Sequence, residues 1–455
     1  MSQSSLILLC CLTLPLAAFG QEVTASITGT VKDASGAVVP GATVIATNLD
    51  TNIAASTTTG TGGDYLLTLL RPGKYKLTVS QTGFKTYEVG GIVLEVNQKP
   101  NINVSLQVGQ ISDRVEVTSG VALISTEDSA IGKVIDNKSI ARIPLNGRLN
   151  IVGLMALAPG IQNAGSQDGI PAFGVTPTVS GGSTTGSVAF SLDGVTNSMS
   201  WIERGLGEFP PLDGIQEFKV ITSSATAEFG KANQIIVVTR SGTNDLHGQL
   251  LEFNRNRFLA AKNFFATQLP NPVYNRNEFG GNFSGPILIP KLYNGKNQSF
   301  FFVNYEGFRL IQAQTDTAQV ATAAMRAGNF AGLPAITDPL SGLPFPGNTI
   351  PADRLNTVTQ RLGQLYPLPN LAGTGAAGTG VNLTENVPIP QRVDRGSFRV
   401  DNKLSDKDQL SFSMMVADLG PNPSVGPVST FGGMAGVGEH NINMALTLNH
   451  IFSPS

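Results

Sequence analysis

The stretch Ile442-Asn443-Met444-Ala445-Leu446-Thr447-Leu448-Asn449 alternates a large apolar residue with a small or polar one at every step. A β-strand sends successive side chains to opposite faces, so the four large residues share one side and Asn, Ala, Thr and Asn share the other. Carried from Ile442 to Phe452, this is the pattern of a strand with one lipid-facing and one lumen-facing side. A strand of a soluble sandwich has the same period, so the surroundings must decide. Upstream, Leu410, Phe412, Met414 and Val416 alternate with Ser411, Ser413, Met415 and Ala417. In Ser299 to Arg309, Phe301, Val303 and Tyr305 fall on one side, and Asn304 and Glu306 on the other with Phe300 and Phe302. Phenylalanine crowds between Phe253 and Phe308, as an aromatic girdle predicts, and Gln312 to Pro390 is a long connection rich in Pro, Gly and Thr. Unequal connections of this kind suit a barrel with long outer loops and short inner turns.

The bulk composition agrees with β structure. Of 455 residues, 14% are charged, against roughly 25% in an ordinary soluble protein. The 51 Gly and 27 Pro favour turns over a helical bundle. A net charge of −2 without basic runs leaves no electrostatic footprint for nucleic acid. Residues 1–20 read as a secretory signal: Leu6 to Leu14 is apolar, Pro15 breaks it, and Ala18-Phe19-Gly20 precedes Gln21. The first five residues depart from the usual signal in carrying no Lys or Arg. Both cysteines, Cys10 and Cys11, lie in that run. Removing the signal leaves no thiol for disulfides, metal sites or nucleophilic catalysis.

Residues 22–108 break into short β runs. Ile27 to Val31 leads into the turn Lys32 to Gly36, Pro40-Gly41 precedes the strand Ala42 to Ala46, and Arg71-Pro72-Gly73 precedes Tyr75 to Val79. Turn signals at about ten-residue intervals predict a small β-sandwich. Gly29, Val31, Asp33, Gly36, Pro40, Gly41, Tyr65, Pro72, Gly73, Tyr75, Gly83 and Phe84 resemble the pattern of the carboxypeptidase regulatory-like domain. That resemblance implies a transthyretin-like sandwich and no peptidase activity. Zinc chemistry needs several His or carboxylate ligands and a general base, whereas His247, His440 and His450 are scattered without ligand spacing. No catalytic residues, metal ligands or cofactor are expected.

From Val108 the composition shifts. Asp113-Arg114-Val115-Glu116-Val117-Thr118 is extended, Ile131 to Asp136 reads as a strand, and Ser139 to Arg148 as a helix start stopped by Pro144. Then come Phe190-Ser191-Leu192-Asp193-Gly194-Val195, Pro211 to Val220, Ala227-Glu228-Phe229-Gly230 and Val237 to Asn244. This series resembles the plug of TonB-dependent receptors in the Oar-like branch, which carries the sandwich in front of the plug. The resemblance implies an α+β plug over 109–244 and makes Asp113 to Thr118 the candidate contact with a TonB-type energy-coupling partner. A plain linker or a first plug strand is the competing reading of that segment. Asp193, Asp213 and Glu217 match plug positions and are read as turn or lumen residues.

Beyond Asn244, Lys262-Asn263-Phe264-Phe265, Arg276 to Gly281, Phe300 to Gly307 and Tyr366 to Asn370 resemble Oar-like barrels. The expected fold is therefore mainly β: a sandwich, an α+β plug, then an antiparallel transmembrane barrel over 245–455. Such transporters have about 22 strands, while this stretch has room for roughly six to eight. It is accordingly expected to be an incomplete barrel. The implied setting is the cell outer membrane, with the first domain in the periplasm and a siderophore, glycan or peptide ligand. A periplasmic or cell-surface sandwich binding protein without transport is the alternative.

Overall fold

A computed structural model describes residues 23–111, 114–117, 131–142, 148, 154, 157–159, 161–162, 178–179, 188–197, 209–223, 231, 233–261, 273–420 and 438–452. The expected signal at 1–20 lies outside these residues.

The first unit contains β1 (Ala25–Asp33), β2 (Thr43–Asn48), β3 (Ala54–Thr58), β4 (Asp64–Leu70), β5 (Gly73–Ser80), β6 (Thr86–Leu94), β7 (Val104–Leu106) and β8 (Arg114–Val117). Two sheets, ordered β4-β1-β7 and β3-β2-β5-β6-β8, enclose one core. Alternation supplies that core, because Val44 and Ala46 of β2 and Leu77 and Val79 of β5 point inward and are fully buried. Turn chemistry sets the corners. The Asp33 carboxylate accepts from the Ser35 and Ala37 amides at 2.8 and 2.9 Å, and Gly36 takes the positive φ that closes the turn. Gly29 is required for a different reason: a Cβ there would sit 1.9 Å from the Ile102 carbonyl oxygen.

A mixed five-stranded sheet follows, ordered β13-β12-β15-β14-β9. Its strands are β9 (Ile131–Asp136), β12 (Val188–Leu192), β13 (Val195–Thr196), β14 (Ile215–Ser223) and β15 (Asn233–Thr239), with a separate bridge between β10 (Ile161–Gln162) and β11 (Thr178–Val179). Strand β15 is buried throughout, which explains why Ile235 to Val238 is a continuous apolar run instead of an alternating one. The helix after β9 spans Asn137–Arg142, two residues ahead of the expected start at Ser139. The reason is the cap: the Asp136 carboxylate, not Ser139, accepts from the Ser139 amide at 3.0 Å.

The third unit is an all-antiparallel sheet, β16-β17-β20-β21-β22-β23. It is built of β16 (His247–Asn256), β17 (Tyr274–Pro286), β20 (Ser299–Ala318), β21 (Leu383–Lys403), β22 (Asp408–Leu419) and β23 (Glu439–His450); β18 (Leu288–Ile289) and β19 (Tyr293–Asn294) form a small hairpin beside it. Among the described residues the sheet stays open, with β16 and β23 at its edges. The connections 287–298 and 404–407 lie at the end where Lys403 donates to the Ala54 carbonyl of the first unit. The connection 319–382 lies at the opposite end, where β16 also ends and β23 begins. The long connection is shorter than expected because the ladder of β20 and β21 continues to Ala318 against Leu383. Pro388 and Pro390 are tolerated there, since they lie beyond Val393, where β22 stops pairing with β21.

A further expectation changes. The phenylalanines do not form a single outward girdle: Phe300, Phe302 and Phe308 are buried on the inner face, whereas Phe283, Phe301 and Phe398 point outward. Arginines of the interior hold two of the inner rings, Arg240 over Phe302 at 5.5 Å and Arg276 over Phe308 at 5.3 Å.

Candidate functional site

Three features carry functional information: the candidate coupling strand, an ionic seam where the three units meet, and the outer face of the open sheet.

Of the segment Asp113 to Thr118, residues Arg114–Val117 form β8, while Asp113 and Thr118 lie outside the described residues. Strand β8 runs parallel to β6, with Thr86 opposite Arg114 and Val89 opposite Val117. It is the last strand of its sheet, so its second edge has no neighbour among the described residues. An open edge presents unpaired N–H and C=O groups, which is what a partner strand needs to add by backbone hydrogen bonds.

The seam is built from residues far apart in sequence. Asp193 sits at a positive φ of 49° in the Asp193-Gly194 turn between β12 and β13. Its carboxylate accepts from the Thr239 amide at 2.9 Å, the Thr239 hydroxyl at 2.7 Å and the Arg399 guanidinium at 2.8 Å. Arg399 also donates to Asp401 at 3.0 Å, and Asp401 further binds Arg71 of the first unit at 2.8 Å and the Ser241 hydroxyl at 2.5 Å. Two cations and two anions thus balance in a water-poor place. Burial pulls the Arg71 guanidinium below its ordinary value, against the attraction of Asp401. Breaking one member would leave a buried charge uncompensated, at a cost of about 3–5 kcal/mol. A cavity of about 130 Å³ adjoins the seam, with Asn48, Thr51, Gln409, Ser411 and Thr447 among its lining.

A second ionic contact joins the mixed-sheet unit to the open sheet. Arg148 donates to Asp213 at 2.6 Å and to Glu306 at 3.4 Å, with its guanidinium 5.3 Å from the centre of the Phe253 ring. Arg276 pairs with Glu278 on the same inner face.

The open sheet has inverted polarity. Facing the mixed sheet are Glu278, Glu306, Arg395, Arg399 and Asp401, all buried. Facing away are Leu250, Phe283, Val303, Ile442, Met444, Leu446 and Leu448, all exposed, Leu446 at 73%. A water-soluble sheet is arranged the other way round. Leaving such side chains in water forgoes about 1.5–3 kcal/mol each, so the outer face is suited to hydrocarbon.

Sequence reasoning placed Asp193, Asp213 and Glu217 at turn or lumen positions; the first two lie in the ionic contacts, and Glu217 lies on β14. It missed Arg71, Arg399, Asp401 and Glu306. A signal existed, since Arg395, Ser397, Arg399 and Asp401 share one parity in a charge-poor chain. The histidines stay apart: His247 contacts the Asp245 carbonyl at 2.9 Å, and His450 contacts Asp408 at 2.6 Å.

Known proteins and families match parts of the chain. Residues 238–455 match the family described as an outer membrane beta barrel domain, and residues 26–107 match the carboxypeptidase regulatory-like domain. The chain is 29% identical over 318 residues to the TonB-dependent transporter Oar of Myxococcus xanthus, spanning 65% of this chain and 28% of that protein. Among solved structures, it is similar to the outer membrane transporter YddB from Escherichia coli, with 10% identity, a TM-score of 0.40, and coverage of 71% of this chain and 37% of that one. It is also similar to the siderophore receptor PirA from Acinetobacter baumannii, with 13% identity, a TM-score of 0.35, and coverage of 67% and 33%.

Proposed function

We propose that this chain, an outer-membrane protein homologous to the TonB-dependent transporter Oar, is a receptor that moves a ligand across the outer membrane when a TonB-type partner pulls on its Asp113–Thr118 segment. In this reading residues 22–108 are a periplasmic sandwich, 109–244 a plug, and 245–455 barrel wall. The ligand is of the siderophore, glycan or peptide kind. The observation that carries the reading is the inverted polarity of the open sheet: exposed Leu446 and Leu448 outside, buried Glu306 and Asp401 against the mixed sheet. A wall in lipid must present apolar side chains outward. A domain within its lumen can meet buried charges only by pairing them, as Asp193 and Asp213 do. The edge of β8 that has no neighbour among the described residues supports the partner contact, because strand addition needs no side-chain code.

The test is a cross-link. With Cys10 and Cys11 replaced by Ser, an Arg114→Cys chain in outer-membrane fractions is expected to form a disulfide with a cysteine-scanned TonB-type partner. Adding Val115→Pro, which removes a donor and restricts the backbone, should abolish it. A chain that stays in the soluble periplasmic fraction, or one that never cross-links at Arg114, overturns the reading.

A further inference from the structure

The two faces of the mixed sheet meet different neighbours. Phe218, Val220, Ile235 and Val237 pack in a core that includes Met415 of the open sheet. Ile221, Ile236 and Val238 cluster instead with Val96 of the first unit. Val96 comes two residues after β6 ends at Leu94, in the turn Glu95 to Gln98, where Asn97 takes a positive φ of 55° and the Gln98 amide donates to the Glu95 carbonyl at 3.2 Å. Strand β14 grips this turn from both sides of one residue. The Glu217 carboxylate accepts the Val96 amide at 2.6 Å, and the Lys219 ammonium donates to the Val96 and Asn97 carbonyls at 3.2 and 3.4 Å. Both gripping side chains are buried, and Val96 is fully so. A hydrogen bond between a backbone group and a charged side chain is stronger than a neutral one, and more so away from water.

We infer that Glu217 and Lys219 form the latch through which a pull on β8 reaches the middle of the mixed sheet. This rests on the coupling-strand reading above. The path is continuous. Strand β8 is laddered to β6, β6 leads directly to Val96, and Val96 is held by β14, which pairs with β15 on one side and β9 on the other. The covalent route from β8 enters the sheet at β9, which is its edge strand. An edge strand peels away one residue at a time, whereas a load on β14 acts on two ladders at once. The latch therefore makes the sandwich a working part of force transmission and not a passenger in front of it.

The test uses the full chain with Cys10→Ser and Cys11→Ser, in detergent, and two readouts. Amide exchange at Val96 should accelerate roughly 10-fold or more in Glu217→Ala and in Lys219→Met, while β2 and β5 stay protected, which shows that the variants fold. Glu217→Gln, which keeps an acceptor oxygen, should leave Val96 protected. Pulling in an optical trap between a Val115→Cys handle and a handle at Phe452 reads the load path. The first rupture should release β14 together with β9 in the parent chain and β9 alone in Glu217→Ala. Unchanged exchange at Val96 overturns the latch, and so does an identical first rupture in both chains. A latch-dependent rupture without an Arg114 cross-link would remove the partner while leaving the load path in place.

Discussion

Substituting Glu217 by Gln should make the contact between the first unit and the mixed sheet stronger at pH 8 than it is in the parent chain. Burial pushes the Glu217 carboxyl up from 4.5 to about 7, with Glu95 and Asp136 adding repulsion while the Val96 amide and Lys219 pull the other way. The sign follows from proton linkage. Closed, the site holds its proton up to about pH 7; opened to water, the carboxyl loses it near 4.5. Between those values the closed form binds more protons, so its stability falls as pH rises and the full penalty is reached above pH 7. A shift from 4.5 to about 7 corresponds to on the order of 3 kcal/mol. Gln carries no charge to desolvate, yet its amide oxygen still accepts the Val96 N–H. Lys219 then loses one of the carboxylates that attract it, so the gain at pH 8 is expected at about 1–2 kcal/mol, less than the full penalty. The assay is amide exchange at Val96 from pH 5 to pH 8, corrected for the intrinsic pH dependence of exchange. Opening of the parent chain should become more frequent across this window, and that of Glu217→Gln should stay flat. The reasoning fails if both chains follow the same trend, or if the parent opens less at pH 8 than at pH 5.

Other substitutions probe the remaining features. Arg399→Met leaves Asp193 short of its cation and should cost about 3–5 kcal/mol, whereas adding Asp193→Asn should restore part of that; detergent unfolding monitored at β12 and β21 measures both. Leu446→Arg on the outer face should destabilise the bilayer-inserted chain by roughly 2–4 kcal/mol, and Thr447→Arg on the opposite face should be milder, read from unfolding in lipid vesicles. Asn382 is fully buried and holds the Val320 amide at 2.7 Å and the Val320 and Gly378 carbonyls at 2.8 Å. Asn382→Ala should cost roughly 1–3 kcal/mol and open the 319–382 connection to limited proteolysis while β20 and β21 stay protected.

The alternation at Ile442 to Asn449 was legible because a period of two follows from backbone geometry alone, and β23 carries it. Its outward side was not legible from that pattern. Whether Leu446 faces lipid or a soluble core depends on what covers the other face, and that is settled by Met415, Asp193 and Phe218, none of which lies near it in sequence. The small sandwich was readable in detail, since Asp33 and Gly36 act through a local turn, although the Tyr65 hydroxyl reaches the Ile102 carbonyl 37 residues away. The plug-like stretch was readable through its motifs more than through its strands, because a buried run such as Ile235 to Val238 has no period to detect.

The site residues divide along the same line. Asp193 was visible as a turn residue, since its positive φ is served by the Asp-Gly pair that encodes it. Its cation was not visible, because Arg399 lies 206 residues away and reaches it only once β21 stands against the mixed sheet. The same holds for Glu217 and Val96, which are 121 residues apart. What the sequence does record is the constraint that makes such partners necessary. In a chain with 14% charged residues, charges that share the parity of inward-facing strand positions must be paired or neutralised, because desolvating them alone costs several kcal/mol each. Arg395, Arg399, Asp401 and Glu306 meet that condition. Glu217 and Lys219 meet it from the other side of the mixed sheet, where the groups they answer are the amide and carbonyls of a single turn. Several of the polar groups that fix this molecule's units to one another, Arg399, Asp401, Glu306, Glu217 and Lys219, are therefore charges its strands could not send to water.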